Sequence, residues 1–270
     1  MPRRRILNIL YKEWRVLAGD LSTLMLMTLL PFIILGEALV GIWLISKIGG
    51  TAIATNPFFQ GALEKLVAGI PAAAALPVLD HVKLLLLAQL NFFILLIPTM
   101  IAVYSASYGI VEEKLSHSLE PLLATPVRTW ELMLGKALAG AIPALLMTWI
   151  CAGIALLVVT AVGWAYLLPY VVNISWFLNL FLITPGIAIL SFLLGIIGSA
   201  RAKDFRSAQN LVLFIIFPVF ALIAVQITGV VWFTPLLTFA LGLVIGLIDI
   251  IVLKIAVGLF QRESIVIKWR

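Results

Sequence analysis

Two long stretches without a charged side chain limit what this chain can fold into. Residues 84–109 carry no Asp, Glu, Lys or Arg over 26 positions, and residues 137–200 carry none over 64. About 20 consecutive apolar residues are enough for a helix to cross a lipid bilayer. Backbone groups in lipid must be satisfied within helices or closed barrels, and these stretches do not alternate as barrel strands do. The sequence therefore predicts an all-α, polytopic membrane protein.

Six membrane spans account for the apolar stretches. The 64-residue stretch divides near 163–173, where several aromatic residues are typical of a membrane interface. The stretch 207–261, which contains only two charged residues, also divides in two. Together they predict one membrane domain, 1–270. The predicted spans are residues 21–46, 84–108, 137–162, 174–199, 208–228 and 235–260.

The positions of the basic residues orient these spans, because cytosolic segments carry an excess of Lys and Arg. If both termini lie in the cytosol, 14 basic residues fall inside and 3 outside, with Lys254 within a span. The inner set is Arg3, Arg4, Arg5, Lys12, Arg15, Lys114, Arg128, Lys136, Arg201, Lys203, Arg206, Arg262, Lys268 and Arg270. The outer set is Lys47, Lys65 and Lys83. This distribution predicts that both termini and the charged segment 110–136 are cytosolic.

Residues 3–19 predict an amphipathic helix at the inner surface of the membrane. Its apolar stripe has helical spacing and consists of Ile6, Leu10, Trp14 and Leu17. The charged residues of this segment lie off the stripe, which is typical of a helix that lies in the membrane interface. The alternative is a charged tail without regular structure.

Residues 110–126 predict a second cytosolic helix whose surface is suited to a soluble partner. Its apolar face is formed by Leu115, Leu119, Leu122 and Leu123. Its polar positions are Glu112, Glu113, Lys114, His117 and Glu120. The helix is expected to end at Thr125 and Pro126, because a residue before proline avoids the helical conformation. A few residues would suffice to connect two spans, so this length indicates a docking surface; the alternative is a loop helix without a partner.

Several short motifs resemble one family of transport proteins. They are Glu112-Glu113-Lys114, then Leu119-Glu120, Leu122-Leu123 and Thr125-Pro126, then Glu131 to Lys136, and near the N-terminus Lys12-Glu13-Trp14-Arg15. In these motifs the chain resembles the permease subunits of ATP-binding-cassette (ABC) exporters of the second permease type, close to the sodium-extrusion and multidrug branch.

The resemblance implies a function for the segment 110–126. In that family it is the coupling helix, which docks on a separate ATPase. The contact residues implied here are Glu112, Glu113, Lys114, Leu119, Glu120, Leu122, Leu123, Thr125 and Pro126. The resemblance also implies two ATPase copies, a second permease subunit that is identical or different, and the plasma (inner) membrane of a prokaryote as location. ATP and Mg²⁺ are expected in the ATPase, and nucleic acid is not expected as a partner.

Missing motifs argue against catalysis by this chain itself. The sequence contains no G-x-x-x-x-G-K-[ST] loop that could hold ATP phosphates. The two histidines, His81 and His117, are predicted on opposite sides of the membrane, which argues against an intramembrane zinc site. The G-x-S-x-G and H-E-x-x-H motifs of hydrolases are also missing. We therefore expect no catalytic residue, cofactor or metal site in this chain.

Glu37 and Asp249 are the acidic residues within the predicted spans. Helical rise places Glu37 about 15 Å from Lys47 and Asp249 about 16 Å from Phe260, near the middle of the bilayer. A lone charge at that depth costs at least about 2.5 kcal/mol, so each side chain should face protein or a watery cavity. Each is either a residue of the substrate pathway or a structural acid. A secondary transporter or channel that uses these two residues is the alternative to the exporter.

Overall fold

The computed structural model describes residues 2–115, 128–201, 212–228 and 230–259, and these residues form helices with no β-strand among them. The prediction of an all-α membrane protein is confirmed, since five helical segments of the described chain are long and apolar enough to cross a membrane. The α-helices are α1 (Pro2–Gly19), α2 (Leu21–Leu44), α3 (Gly50–Thr55), α4 (Pro57–Gly69), α5 (Val78–Leu115), α6 (Thr129–Ala161), α7 (Leu168–Val171), α8 (Ile174–Leu178), α9 (Thr184–Arg201), α10 (Val212–Ile227) and α11 (Pro235–Leu259).

Short turns of other helix types connect several of these elements. The π-helical turns Ile45–Gly49 and Asn179–Ile183 join α2 to α3 and α8 to α9. The 3₁₀ turns Pro71–Ala75 and Ala165–Leu167 precede α5 and α7. Helix α6 ends at a turn where Gly163 has φ of 86°, a conformation that favours glycine. This turn lies within the predicted division of the 64-residue stretch.

The helix at the fifth predicted span, 208–228, is shorter than a typical span. Helix α10 has 16 residues, which corresponds to about 24 Å at 1.5 Å per residue. The first four residues of the predicted span, 208–211, lie outside the described residues. The other five predicted spans each coincide with one of the five long apolar segments. The number of six crossings therefore stays a prediction.

Helix α5 forms the centre of the bundle. Within its most apolar stretch 72% of the residues are buried, against 22% for α11. Helix α5 packs against α2, α6, α9 and α10. Helices α5 and α9 approach each other closely at Gly195 of α9. A Cβ added at this glycine would lie 2.8 Å from the Cβ of Ala106 on α5. Helix α11 instead exposes much of its apolar surface, which in a membrane protein faces lipid or another subunit.

Helices α5 and α6 are longer than the spans predicted for them. They contain 38 and 33 residues, which corresponds to about 57 and 50 Å. The hydrocarbon core is about 30 Å thick, so both helices extend beyond it. The predicted boundary near 108–110, between the second span and a separate cytosolic helix, is not observed, because α5 continues to Leu115. The end of an apolar stretch does not end a helix whose next residues, such as Glu112 and Lys114, are good helix formers.

Candidate functional site

Two ion pairs fasten α1 to the beginning of α6. Nη1 of Arg5 lies 3.5 Å from Oε2 of Glu131, and Nζ of Lys136 lies 3.1 Å from Oε1 of Glu13. The side chains of Lys136 and Glu131 are only 3% and 4% exposed. Because buried charges are tolerated when they are paired, these contacts fix the position of α1 on α6. We call Arg5, Glu13, Glu131 and Lys136 the charge bridge.

Close packing surrounds the charge bridge. A Cβ added at Gly135 would lie 2.9 Å from Cγ2 of Ile9, so α1 approaches α6 at a position where only glycine leaves enough space. One turn further along, Nε1 of Trp14 donates a hydrogen bond of 3.0 Å to the carbonyl oxygen of Ala139. Ion pairs, a glycine contact and a hydrogen bond therefore hold α1 along the first turns of α6.

The apolar stripe predicted for α1 lies partly against the protein. Leu17 packs on the main core of the bundle, and Ile6 and Leu10 are half-buried. The most exposed apolar residues, Leu7 and Tyr11, lie on another side of the helix and are 51% and 63% exposed. The helical prediction for this segment is confirmed, whereas its position in the membrane interface stays a prediction.

The structure describes only part of the predicted coupling segment, 110–126. Glu112, Glu113 and Lys114 belong to the last turns of α5. The remaining predicted contact residues, Leu119, Glu120, Leu122, Leu123, Thr125 and Pro126, lie outside the described residues.

The chain beyond this segment is fixed by Glu131. The backbone N of Arg128 donates a hydrogen bond of 3.1 Å to Oε2 of Glu131, which caps the beginning of α6. The same carboxylate oxygen lies within ion-pair distance of Arg5. The residues that follow 110–126 are therefore tied directly to the charge bridge.

A cavity of about 520 Å³ lies between α2, α5 and α10. Its lining is mostly aliphatic and aromatic and includes Ile34, Ile42, Leu86, Phe93, Leu96 and Phe220. Among the described residues, two polar side chains also line it, Glu37 from α2 and Gln89 from α5. Glu37 is exposed, and it makes no hydrogen bond or ion pair with the part of the chain that the structure describes. The cavity combines an apolar wall with very few polar groups, as small-molecule sites do.

Gln89 is buried with half of its amide unsatisfied. Its side chain is 2% exposed, and Nε2 donates a hydrogen bond of 3.2 Å to the carbonyl oxygen of Leu85. Oε1 has no hydrogen-bond partner among the described residues. A buried acceptor without a partner costs about 1–3 kcal/mol. Because this oxygen has no accessible surface, a molecule in the cavity does not contact it.

The structure places Asp249 away from the cavity. Asp249 is half-buried on α11 and faces α9, where a Cβ added at Gly186 would lie 3.6 Å from its Oδ2. Its Oδ1 is buried and has no partner within the described residues. Glu37 lines a cavity formed by other helices, so the structure does not bring the two predicted acids together.

Comparison with known families decides the class of protein. The family described as ABC-2 family transporter protein matches residues 80–252, which is well over half of the chain. The chain belongs to the ABC-2 transporter family. It is therefore a multi-pass membrane permease of an ABC transporter. Permeases of this family are membrane components that normally pair with an ATPase subunit and are not themselves the ATPase. No curated protein and no solved structure matches the chain.

The family match covers only part of the two regions described above. It includes the segment 110–126, Gln89, and the half of the charge bridge that lies on α6. It does not include α1, or the α2 wall of the cavity with Glu37. The contributions of these helices to the permease are therefore inferred from the structure alone.

A cluster of polar side chains lies at the beginning of α5, at the end of the helix opposite to Glu112 and Lys114. Nζ of Lys83 lies 2.6 Å from Oδ1 of Asp80, and the hydroxyl of Tyr166 donates a hydrogen bond of 3.0 Å to the same oxygen. Lys83 also lies 5.8 Å from the centre of the Trp164 ring. These contacts join the beginning of α5 to the connection that follows α6, so the cluster is structural. Within the described residues, no group of three or more His, Cys, Asp and Glu side chains could hold a metal ion.

Sequence reasoning did not identify Gln89 or the charge bridge as parts of a site. The pairing in the bridge could have been suspected from the sequence. Glu13 and Lys136 carry opposite charges, and their segments were predicted on the same side of the membrane. Gln89 is one of the few polar side chains in an apolar stretch. The sequence cannot show that its oxygen is buried without a partner.

Proposed function

We propose that this permease is the membrane half of an ATP-driven exporter and that the segment 110–126 receives the motion of the ATPase. The observation that carries this proposal is the length of the two flanking helices. Helices α5 and α6 both extend past the thickness of a bilayer. Helix α5 continues into the segment as far as Leu115, and α6 begins shortly after it, at Thr129. A displacement of the segment would therefore move two rigid helices.

The charge bridge offers a path from these helices to the cavity. Helix α6 is fastened to α1 through Glu131 and Lys136. Helix α1 ends at Gly19, and α2 begins at Leu21, so only Asp20 separates them. Asp20 caps α2 through a hydrogen bond of 3.1 Å from the backbone N of Ser22 to its Oδ1. A movement of α6 would thus be passed through α1 to α2, which forms one wall of the cavity.

The proposed assembly contains two such permeases and two ATPase subunits. ATP and Mg²⁺ would be bound by the ATPase, and this chain would supply half of the translocation pathway. The second permease is either identical or different. We propose the plasma membrane of a prokaryote as the location, with six spans and both termini in the cytosol. The sodium-extrusion or multidrug branch of the family is part of the same proposal.

A secondary transporter or channel that relies on Glu37 and Asp249 has less support. These two acids lie against different helices, and only Glu37 lines the cavity. A transporter of that kind would need both in one pathway.

The proposed orientation can be tested with single cysteines in a Cys151→Ala background. Glu64 on α4 is exposed, and Tyr11 on α1 is 63% exposed. We expect Glu64→Cys to react with a membrane-impermeant maleimide from outside the cell. Tyr11→Cys should react only after the membrane is permeabilised. Reaction of both cysteines from the same side would contradict the orientation.

The coupling role can be tested by reversing three acidic charges, Glu112, Glu113 and Glu120, to lysine. The permease is purified with the ATPase that accompanies it and reconstituted into proteoliposomes. We expect the variant to lose stimulation of ATP hydrolysis by a transported compound, because the docking surface has changed sign. The control is Glu64→Lys, which reverses an exposed charge on α4. Normal stimulation in the triple variant would contradict the role of 110–126.

A further inference from the structure

The cavity between α2, α5 and α10 has a chemistry that indicates its ligand. The charged group that lines it is the carboxyl group of Glu37, which makes no hydrogen bond or ion pair with the described residues. Among the described residues that line it there is no Lys, Arg or His. The rest of the lining is almost entirely aliphatic and aromatic.

We infer that this cavity binds an amphipathic organic cation. Its apolar body lies among the aliphatic and aromatic side chains, and its positive group is held by Glu37. The inference rests on the proposed function only in making this cation the exported compound. Binding itself does not require the ATPase.

The observations favour a cation over other occupants. An anion would meet a carboxylate, with no basic side chain among the described lining residues. A neutral hydrocarbon, such as a lipid tail, would leave the carboxyl group of Glu37 unsatisfied in an apolar environment, which is costly. A cation satisfies this group, and the rings of Phe93 and Phe220 add faces that attract positive charge.

Size and access also fit such a ligand. The volume of about 520 Å³ lies within the range of about 300–1,000 Å³ that is usual for small-molecule sites. Glu37 and Phe220 are both exposed, so the cavity is open on the side where they lie. Since Glu37 is about 15 Å along the helix from Lys47, this opening lies at the depth of the lipid chains. An amphipathic cation dissolved in the membrane could therefore enter laterally.

The test uses the permease in lipid nanodiscs without its ATPase, with the fluorescent cation rhodamine 6G as the probe. Fluorescence anisotropy is corrected with empty nanodiscs of the same lipid. We expect saturable binding that tetraphenylphosphonium displaces. Tetraphenylborate, which has the same shape and the opposite charge, should not displace it. Equal displacement by both ions would overturn the inference, because the cavity would then be selecting apolar shape alone.

Three variants test the carboxyl group of Glu37. We expect Glu37→Gln to weaken binding of rhodamine 6G about tenfold, which corresponds to about 1.4 kcal/mol. Glu37→Asp, which keeps the charge, should bind more tightly than Glu37→Gln. Glu64→Gln removes an exposed carboxylate outside the cavity and should bind like the unchanged protein. Equal affinity of Glu37→Gln and the unchanged protein would overturn the inference.

The experiment separates this inference from the proposed function. If rhodamine 6G does not bind, the inference fails, and the role of 110–126 is still decided by the charge-reversal variant. If rhodamine 6G binds as expected while that variant keeps normal stimulation, the cavity stands and the coupling proposal fails.

Discussion

The charge bridge and the cavity differ in whether their polar groups have partners within the protein. In the bridge, each carboxylate lies within 3.5 Å of a basic nitrogen. In the cavity, neither Glu37 nor Oε1 of Gln89 has a partner within the described part of the chain. Satisfied buried groups stabilise one arrangement of helices, whereas the exposed and unpaired carboxyl group of Glu37 is open to a ligand. We therefore propose that the bridge holds and moves helices and that the cavity binds the transported compound.

The two regions are also connected. Helix α1 belongs to the bridge, and the next helix in the chain, α2, supplies Glu37 to the cavity. A change in the bridge should therefore affect stability first and binding second. A change in the cavity should affect binding with little loss of stability. The following predictions test this difference.

The largest effect is expected for Lys136→Met. This change keeps the length of the side chain but removes the buried positive charge that faces Glu13. Breaking one partner of a buried pair costs about 3–5 kcal/mol, so the free energy of unfolding should fall by about that amount. Thermal or chemical unfolding of the solubilised permease measures it.

The control for this prediction is Lys47→Met, which removes an exposed lysine from the turn after α2. It should change the stability by less than about 0.5 kcal/mol, as surface substitutions usually do. The charge exchange Glu13→Lys with Lys136→Glu should recover part of the loss. Equal stability of Lys136→Met and Lys47→Met would show that the bridge does not hold α1 in place.

Smaller changes in stability are expected for two glycines of α6, and the two changes should have opposite signs. Gly135→Ala places a Cβ against Ile9 and should destabilise the permease by about 1–3 kcal/mol. Gly153 has no atom within 4 Å of an added Cβ. Gly153→Ala should therefore stabilise the helix by up to about 1 kcal/mol through helix propensity. Melting temperatures that shift in the same direction would contradict the close contact between α1 and α6.

The smallest effect is expected for Gln89→Leu. Removing an acceptor that is buried without a partner should leave stability unchanged or raise it by about 1 kcal/mol. Asn179→Leu is the matched comparison, because it also removes a buried oxygen without a partner among the described residues. In addition it removes the hydrogen bonds of 2.7 and 2.8 Å that Nδ2 donates to the backbone and side-chain oxygens of Asn91 on another helix. That variant should lose stability in the same unfolding assay. A marked loss for Gln89→Leu would mean that Gln89 is structural.

The sequence was sufficient to predict the helical membrane fold, because few structures other than membrane-spanning helices can accommodate uncharged stretches of this length. It was less informative about where helices end. Helix α5 continues through Glu112 and Lys114, where hydropathy changes but helix propensity does not. Helix α6 begins at Thr129, ahead of the apolar stretch, because Glu131 caps it.

The site could be predicted only in part, because its contacts join residues far apart in the chain. Glu13 and Lys136 are 123 positions apart, and their pairing depends on the register of α1 on α6. Glu37 was identified as a candidate from its depth in the membrane, and its place in the substrate pathway stays a prediction. Gln89, which lines the same cavity, was not identified, since the burial of its side chain depends on how other helices pack against α5.

Stimulation of ATP hydrolysis by rhodamine 6G, in the reconstituted complex of permease and ATPase, tests the division between coupling and binding most directly. For Glu37→Gln we predict the unchanged maximal rate but a concentration for half-maximal stimulation about tenfold higher, because affinity alone is lowered by about 1.4 kcal/mol. For the triple reversal at Glu112, Glu113 and Glu120 we predict unchanged binding of rhodamine 6G and no stimulation. If both variants lose stimulation in the same way, or if neither loses it, the assignment of separate roles to the two regions is contradicted.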